Sequence, residues 1–282
     1  MNKTVFSSVL QCFFCEYLIN QKNVSHCTVL SYRDTFKEFI KYSADKLKKI
    51  PSNILIEDIN AELILKFLDY LDCVRGNSTG TRNVRLAAIR SFIKYATYKY
   101  PEYLADFRAI LAIPLKRYNK TLVGFLSREE VQCILKAPDL STKSGRRDRI
   151  LFMVMYNTGA RVSELTAAKV VDVDFQRTRS IKLHGKGRKE RIVPLWNDTL
   201  KLLKEWLKDA SLTEKSPLFP NRAGDHMSRS GVEDRLKTCL KIAGEKCLSL
   251  QKRKISPHVF RNPNFYEIQT FCKKLQEICA FH

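Results

Sequence analysis

Two side chains late in the sequence, His258 and Arg261, have the types and the spacing needed to bind an anion. They stand three residues apart in the stretch "SPHVFR" at positions 256–261. A guanidinium group is a planar fork of donors that fits phosphate oxygens, and a histidine ring beside it could donate to the same anion. The alternative for His258 is a structural donor whose hydrogen bonds are satisfied within the protein.

Two further cations, Arg161 and Lys186, lie in separate segments and could complete one anion site. Arg161 follows Gly159 near the predicted start of a helix, where unpaired backbone N–H groups and the helix dipole favour an anion. Lys186 lies between Gly185 and Gly187 at a predicted hairpin tip, where it could donate to a phosphate oxygen or protonate a leaving alkoxide. The alternatives are a surface salt bridge for Arg161 and a solvated turn lysine for Lys186.

The charge of the whole chain favours a polyanionic partner. The 282 residues contain 50 Lys and Arg against 29 Asp and Glu, a formal net charge of +21. Charge of this size attracts nucleic acid or an anionic membrane surface, and charge alone does not separate the two. No window approaches the roughly 18 uninterrupted apolar residues of a membrane span, so no transmembrane helix is expected.

We expect a cytoplasmic protein with reduced cysteines and no metal or other cofactor. The apolar start of the chain superficially resembles a signal peptide, but Glu16 follows closely and no small-residue cleavage site does. The nine cysteines are an odd number at scattered apolar positions, unlike a disulfide framework. Cys12 and Cys15, with His26 and Cys27 nearby, could bind zinc. The competing interpretation is the buried stripe of one helix, because no second C-x-x-C is present.

The first 106 residues are predicted to form a helical domain. Apolar residues recur there at three- and four-residue steps, and Pro101 ends the last helix. The predicted helices are residues 5–20, 25–43, 60–71 and 79–100.

The helix at 79–100 combines an apolar flank, predicted to include Val84, with a row of cations lying mostly off it. Such a row is a candidate for contact with DNA phosphates. The alternative is a solvated helix face, which is how most charge runs are used. The cations are Arg82, Arg85, Arg90 and Lys94.

A linker at 107–124, where periodicity is lost, is predicted to lead into a second domain at 125–282. Ser127 is the predicted N-cap of its first helix, with Glu130 at the capping-box position. A helix at 147–158 is closed by Gly159 in the left-handed conformation. Further elements are strands at 180–184 and 190–195 around a glycine-rich turn, and helices at 198–210 and 229–244. The predicted fold class is mainly α, with a small β-hairpin or sheet in the second domain.

Together these segments resemble the tyrosine recombinases, the phage integrase family that includes the Xer-type recombinases. "NTGARVSELTAAKVVDVDF", "HGKGRKERIVPL" and "SPHVFR" look like the catalytic domain of that family, in this order and at these spacings. "SHCTVLSYRDTFKEFIKY" and "TGTRNVRLAAIRSFIKYA" are similar to its helical, SAM-like core-binding domain. The resemblance covers nearly all of the chain up to Arg261.

The resemblance implies a two-domain clamp around double-stranded DNA, with the core-binding domain on one side and the catalytic domain on the other. Family members attack a phosphodiester with a tyrosine hydroxyl, forming a 3'-phosphotyrosine bond and a free 5'-hydroxyl without metal or nucleotide. Arg161 and Arg261 would then stabilise charge on the non-bridging oxygens. His258 would donate to the phosphate or move protons, and Lys186 would protonate the leaving 5'-oxygen. A homo-oligomer on DNA, dimer or tetramer, and no membrane partner are expected.

The resemblance weakens after Arg261, where the family continues to a His or Trp and then to its nucleophilic tyrosine. This chain continues with "NPNFYEIQTFCKKLQEICAFH", in which Tyr266 comes only five residues after Arg261 and is not matched to the nucleophile. We therefore expect a truncated or frame-shifted recombinase from a mobile element that retains the phosphate-binding residues. A neighbouring protomer or an intact relative could supply the tyrosine. The alternative is a cleavage-defective, sequence-specific DNA-binding protein derived from such a recombinase.

Overall fold

The structure, a computed structural model, describes residues 4–119, 124–185, 187, 189–251, 253 and 255–260. The chain divides into two compact units between residues 121 and 122. Its described part is mainly helical with one three-stranded sheet in the second unit, which confirms the predicted fold class. No helix within the described ranges is both long and apolar enough to cross a membrane.

The described part of the first unit contains five α-helices, and short polar side chains set the starts of three of them. Ser25, Asn60 and Ser78 each accept a hydrogen bond from a backbone N–H in the first turn of the helix that follows, as N-caps do. All four predicted helices are present, and the first continues as a π-helical segment at Phe13–Gln21. The helices are α1 (Phe6–Cys12), α2 (His26–Leu47), α3 (Ala61–Cys73), α4 (Thr79–Lys99) and α5 (Leu104–Ala112).

Aromatic rings fill the centre of the first unit. The ring of Phe92 lies 5.2 Å from that of Phe6 and 5.4 Å from those of Phe13 and Phe36, all tilted or edge-on. Such geometries add to the stabilisation from area burial. Val84 was predicted to share this apolar flank, but it is 53% exposed. Leu86 lies on the buried face of α4, and Val84 precedes it by two residues. Because two residues are about half a helical turn, the Val84 side chain faces solvent.

The predicted linker at 107–124 begins too early. Residues 107–112 lie in α5, and Phe107, Ile110 and Ile113 are buried in the core of the first unit. The periodicity of this stretch was missed because α5 is only nine residues long and Pro114 follows it closely. Residues 113–119, which follow this helix, have no regular secondary structure.

The second unit packs helices around a small antiparallel sheet of order β1-β2-β3. Ile181 pairs with Val193 in the register of the β2–β3 hairpin, as the glycine-rich turn predicted. The helices are α6 (Arg128–Lys136), α7 (Lys143–Thr158), α8 (Val162–Ala167), α9 (Asn197–Asp209), α10 (Arg229–Lys246), α11 (Leu248–Gln251) and α12 (Pro257–Phe260), and the strands are β1 (Val173–Asp174), β2 (Ser180–His184) and β3 (Glu190–Pro194).

Helix α7 is the centre of the second unit. It ends where the sequence predicted but begins at Lys143, four residues before the predicted start at 147. Its residues Leu151, Phe152 and Met155 are fully buried. Gly159 caps its end with φ of 59°, a conformation that favours glycine. At the start of the unit, the backbone N–H of Ser127 donates to Glu130 Oε2 at 2.9 Å and Ser127 Oγ accepts from the N–H of Glu130 at 3.2 Å, which confirms the capping box.

Replacing Phe92 with alanine should destabilise the first unit strongly. We expect the free energy of unfolding of that unit to fall by about 3–5 kcal/mol, because the change leaves a cavity among three rings. Tyr98→Ala on the same helix is the matched control, since Tyr98 is 88% exposed, and it should change stability by less than about 0.5 kcal/mol. Urea denaturation followed by circular dichroism measures both. Equal effects of the two variants would contradict the assigned core.

Candidate active site

Arg161 is placed by the turn that joins α7 to α8. After the left-handed Gly159, Ala160 is fully buried and Arg161 becomes the N-cap residue of α8. The buried alanine fixes the direction of the backbone at this point. The Arg161 side chain therefore extends from the surface of the unit at a defined position, and it is 46% exposed.

The carboxylate of Glu164, in the first turn of α8, binds Arg161 twice. Its Oε2 accepts from the backbone N–H of Arg161 at 2.8 Å, and its Oε1 accepts from Arg161 Nη1 at 2.8 Å. Glu164 is only 3% exposed. Arg161 thus pairs with a buried carboxylate and does not form the purely surface salt bridge that was considered for it. The outer part of its guanidinium group still faces solvent.

A second arginine, Arg191 on β3, binds the same carboxylate. Arg191 Nη1 lies 3.0 Å from Glu164 Oε1 and Arg191 Nη2 lies 2.7 Å from Oε2, a bidentate pair. Sequence reasoning missed both residues. The three-residue spacing from Arg161 to Glu164 is that of a capping box and could have indicated Glu164. Nothing in the sequence indicates Arg191, because its contact is made across the fold.

These bonds determine the charge of Glu164. Burial raises the pKa of its carboxyl, but hydrogen bonds from Arg191 and from the backbone and side chain of Arg161 outweigh burial and lower the pKa to about 2. Glu164 is therefore ionised at neutral pH. With two arginines on one carboxylate, the group of three side chains has a net charge of +1.

The base of the β2–β3 hairpin lies against Glu164. The backbone N–H of Gly185 donates to the carbonyl oxygen of Lys189 at 2.7 Å. A Cβ atom at residue 185 would stand 3.3 Å from Glu164 Oε1 and 3.2 Å from the Lys189 carbonyl. The absence of a side chain at Gly185 lets the hairpin approach this closely. Lys186 is next in the sequence and lies outside the described residues.

His258 is held on α12, a single turn anchored to α7. The ring of Phe260 lies 5.8 Å from that of Phe152 and 6.1 Å from that of Tyr156. Phe260 is 1% exposed, whereas His258 faces solvent. Arg253 ties the preceding segment to the start of the unit by donating from Nη1 to Glu130 Oε2 at 2.7 Å.

The structure brings Arg161 and His258 to one cavity of about 70 Å³. Arg229, at the start of α10, lines the same cavity and pairs with Glu233 at 3.2 Å between Nε and Oε1. The cavity thus combines arginine and histidine donors with a solvent-facing opening. Arg261, the second predicted arginine, lies outside the described residues. Of the described residues, those that line the cavity are Arg161, Val162, Ser163, Arg229, Glu233, Pro257 and His258.

Three of the four α4 cations that were predicted as DNA-phosphate contacts are bonded within the first unit. Arg82 is 8% exposed, with Nε 3.3 Å from Asp72 Oδ2. Arg85 pairs with Glu38, and Arg90 Nη2 donates to the carbonyl oxygen of Leu111 at 2.7 Å. Arg82 precedes Leu86 by one helical turn and so shares its buried face. Lys94 alone of the four is exposed.

Both units match models of known protein families. The model described as "Phage integrase family" matches residues 124–278, and that described as "Phage integrase, N-terminal SAM-like domain" matches residues 13–99. The chain belongs to the phage integrase family, the tyrosine recombinases. This tyrosine recombinase is 41% identical over 254 residues to the putative integrase/recombinase y4rC of Sinorhizobium fredii, covering 90% of this chain and 76% of that protein. It is 32% identical over 258 residues to tyrosine recombinase XerC of Pelotomaculum thermopropionicum, covering 88% and 81%.

Solved structures share the fold of this tyrosine recombinase. XerH recombinase bound to palindromic difH substrate, in a post-cleavage complex, aligns with a TM-score of 0.64 at 24% identity, covering 85% of this chain and 68% of that chain. A lambda integrase dimer bound to a COC' core site aligns with a TM-score of 0.65 at 16% identity, covering 92% and 69%.

The bonds to Glu164 predict a pH-dependent contribution to stability. Its pKa is about 2 when folded against an ordinary value of 4.5, so the contribution is complete above pH 5 and is lost as the pH falls toward 2. The variant Glu164→Gln lacks this pH-dependent contribution. The free energies of unfolding of wild type and variant should therefore converge by about 2–3 kcal/mol between pH 6 and pH 2. Denaturant unfolding at each pH measures this, and a constant difference across the range would contradict the assignment.

Proposed function

We propose that this chain is a site-specific DNA recombinase or integrase that binds double-stranded DNA and holds the scissile phosphate at Arg161 and His258. The observation that carries the proposal is their meeting at one cavity, although they come from distant segments of the sequence. The similar putative integrase/recombinase y4rC and tyrosine recombinase XerC support it, as does the fold shared with XerH recombinase bound to its difH substrate.

The proposed chemistry is the strand transfer of the family. A tyrosine oxygen attacks phosphorus, the 3'-phosphotyrosine bond forms, and the bond to the 5'-oxygen breaks. Arg161 and Arg261 would stabilise the charge that grows on the non-bridging oxygens, an electrostatic effect that needs donors already in place. His258 would donate to the same phosphate or accept the proton that the tyrosine hydroxyl loses as it attacks. Lys186 would give a proton to the departing 5'-oxygen, which leaves as a hydroxyl.

The proposed function also requires a source for the attacking tyrosine. Because Tyr266 is so close to Arg261, we propose that the attacking tyrosine is supplied by a neighbouring protomer or an intact relative. Lambda integrase has been solved as a dimer on a core site and as a tetramer on a Holliday junction, and we propose a comparable assembly on DNA here, in the cytoplasm. The unmatched tyrosine also favours a second candidate, a DNA-binding protein that occupies recombination sites without cutting.

In the first unit we propose a phosphate contact at Lys94, on the exposed side of α4. The three arginines bonded inside the unit are assigned to its stability instead. Arg117 is also exposed, in the segment after α5, and would add a second phosphate contact. The core-binding domain proposed here therefore extends through α5, and the catalytic domain begins near residue 125.

Arg161→Ala should remove one specific phosphate contact and leave most of the general affinity for DNA. A duplex selected from a random pool by the wild-type chain provides the site. Ethylation of single phosphates then shows which of them binding requires. We expect one phosphate to matter for wild type and no longer for Arg161→Ala. Arg177→Ala, in the turn at the other end of β2, is the matched control and should keep the wild-type pattern. A uniform loss at every phosphate would contradict the assignment.

Lys94→Gln and Arg82→Gln should have opposite effects. Lys94→Gln should lower the slope of log affinity against log salt by about 1, because one phosphate contact is lost. Arg82→Gln should keep the slope and lower the free energy of unfolding by about 1–3 kcal/mol, since the half-buried carboxylate of Asp72 loses one of its two cations. Fluorescence anisotropy at several salt concentrations and urea denaturation measure these quantities. An unchanged slope for Lys94→Gln would show that DNA lies elsewhere.

A nicked suicide duplex separates the two candidate functions. A cutting tyrosine leaves protein covalently joined to the 3' end, which survives denaturing electrophoresis, whereas a binding-only protein leaves footprints and no such product. Mixing this chain with an intact relative tests supply of the tyrosine from another subunit.

A further inference from the structure

Arg191 does not line the cavity, yet both of its terminal nitrogens are committed to Glu164. The distances are 3.0 and 2.7 Å, and the carboxylate is 3% exposed. Glu164 in turn binds the backbone and the side chain of Arg161. One buried carboxylate therefore connects an arginine on a strand to the proposed phosphate-binding arginine on a helix.

We propose that Arg191 is a positioning residue for the phosphate site: it neutralises Glu164, so that Arg161 presents a net positive charge, and it holds the base of the hairpin against α8. This inference rests on the proposed role of Arg161 in phosphate binding.

The charge balance is the first step. Arg161 and Glu164 alone make a neutral pair, and Glu164 Oε1 lies 2.8 Å from Arg161 Nη1, as near as an oxygen of a bound phosphate would lie. The field of the carboxylate would cancel much of the attraction of Arg161 for an anion at the cavity. Arg191 adds one positive charge beside the same carboxylate. The attraction of Arg161 for an anion is thereby restored without any contact between Arg191 and the anion.

The geometry of the hairpin is the second step. Gly185 packs so closely that a Cβ atom there would stand 3.3 Å from Glu164 Oε1 and 3.8 Å from Arg191 Nη1. A bidentate pair fixes both the distance and the angle between its partners. The bond from β3 to α8 therefore fixes the hairpin strand beside Arg161, and Gly185 immediately precedes Lys186 in the sequence.

Binding of inorganic phosphate to the full chain tests the charge effect without needing the DNA site or the tyrosine. The side-chain resonance of His258, one of five histidines, reports on the cavity at constant pH in a nuclear magnetic resonance titration. Arg191→Met should weaken phosphate binding roughly tenfold, the effect of removing one charge several ångströms away, and Arg191→Lys should weaken it less. Lys182→Met is the control, because Lys182 pairs with the exposed Glu190 on the same hairpin at 2.7 Å, and it should bind as wild type does.

The double variant Glu164→Gln with Arg191→Met decides between positioning and mere structural support. It removes the negative and the positive charge together, so the balance at Arg161 returns to +1. We expect phosphate affinity to recover to within roughly threefold of wild type. A double variant that binds as weakly as Arg191→Met, or more weakly, would overturn the inference. If Arg191→Met fails to fold, Glu164→Gln alone takes its place: it raises the net charge of the group from +1 to +2, so phosphate should bind more tightly than to wild type, and weaker binding would overturn the inference.

Arg161→Ala separates this inference from the proposed function. If phosphate no longer shifts the His258 resonance in Arg161→Ala but shifts it as in wild type in Arg191→Met, only the role of Arg191 is overturned. If phosphate shifts the His258 resonance of Arg161→Ala as it does in wild type, the role of Arg161 in phosphate binding is overturned, and with it the proposed function.

Discussion

The carboxylate of Glu164 is the constraint on which the candidate site depends. A buried carboxylate is stable only when its charge is balanced and its oxygens are bonded, and here Arg161 and Arg191 satisfy both conditions. The same bonds orient Arg161 toward the cavity and hold β3 beside α8. Stability and function are coupled at this point, because any change that frees the carboxylate also displaces the arginine.

Sharing of one carboxylate by two cations recurs through both units. A basic chain with fewer acids than cations can bury its carboxylates fully paired and still keep a large positive surface charge. Each shared carboxylate joins elements that are apart in the sequence. The shared carboxylates and their cations are Glu38 with Arg75 and Arg85, Asp72 with Arg82 and Lys116, Asp148 with Arg147 and Arg235, and Glu164 with Arg161 and Arg191.

Helix caps and the hairpin could be predicted from the sequence because they depend only on residues that are adjacent in it. The N-cap at Ser127, the left-handed Gly159 and the glycine-rich hairpin each follow from a few adjacent residue types, and the structure contains all three. Arg191 could not be predicted, because its partner is set by how β3 packs on α8. Arg82 was misplaced because a charged residue was assumed to face solvent, although its helical position faces Asp72. Lys186 and Arg261 remain predictions.

Arg253 also connects regions that the sequence keeps apart. It bonds to Glu130 at the start of α6 and to the carbonyl oxygen of Phe125, at 2.6 Å from Nη2, and the turn that presents His258 follows shortly after it. Arg253 therefore holds the segment that precedes His258 against the first residues of the second unit, and Ser249 Oγ donates to the same Glu130 carboxylate at 2.7 Å. The beginning of the second unit and the segment that leads to His258 are thus held by one carboxylate.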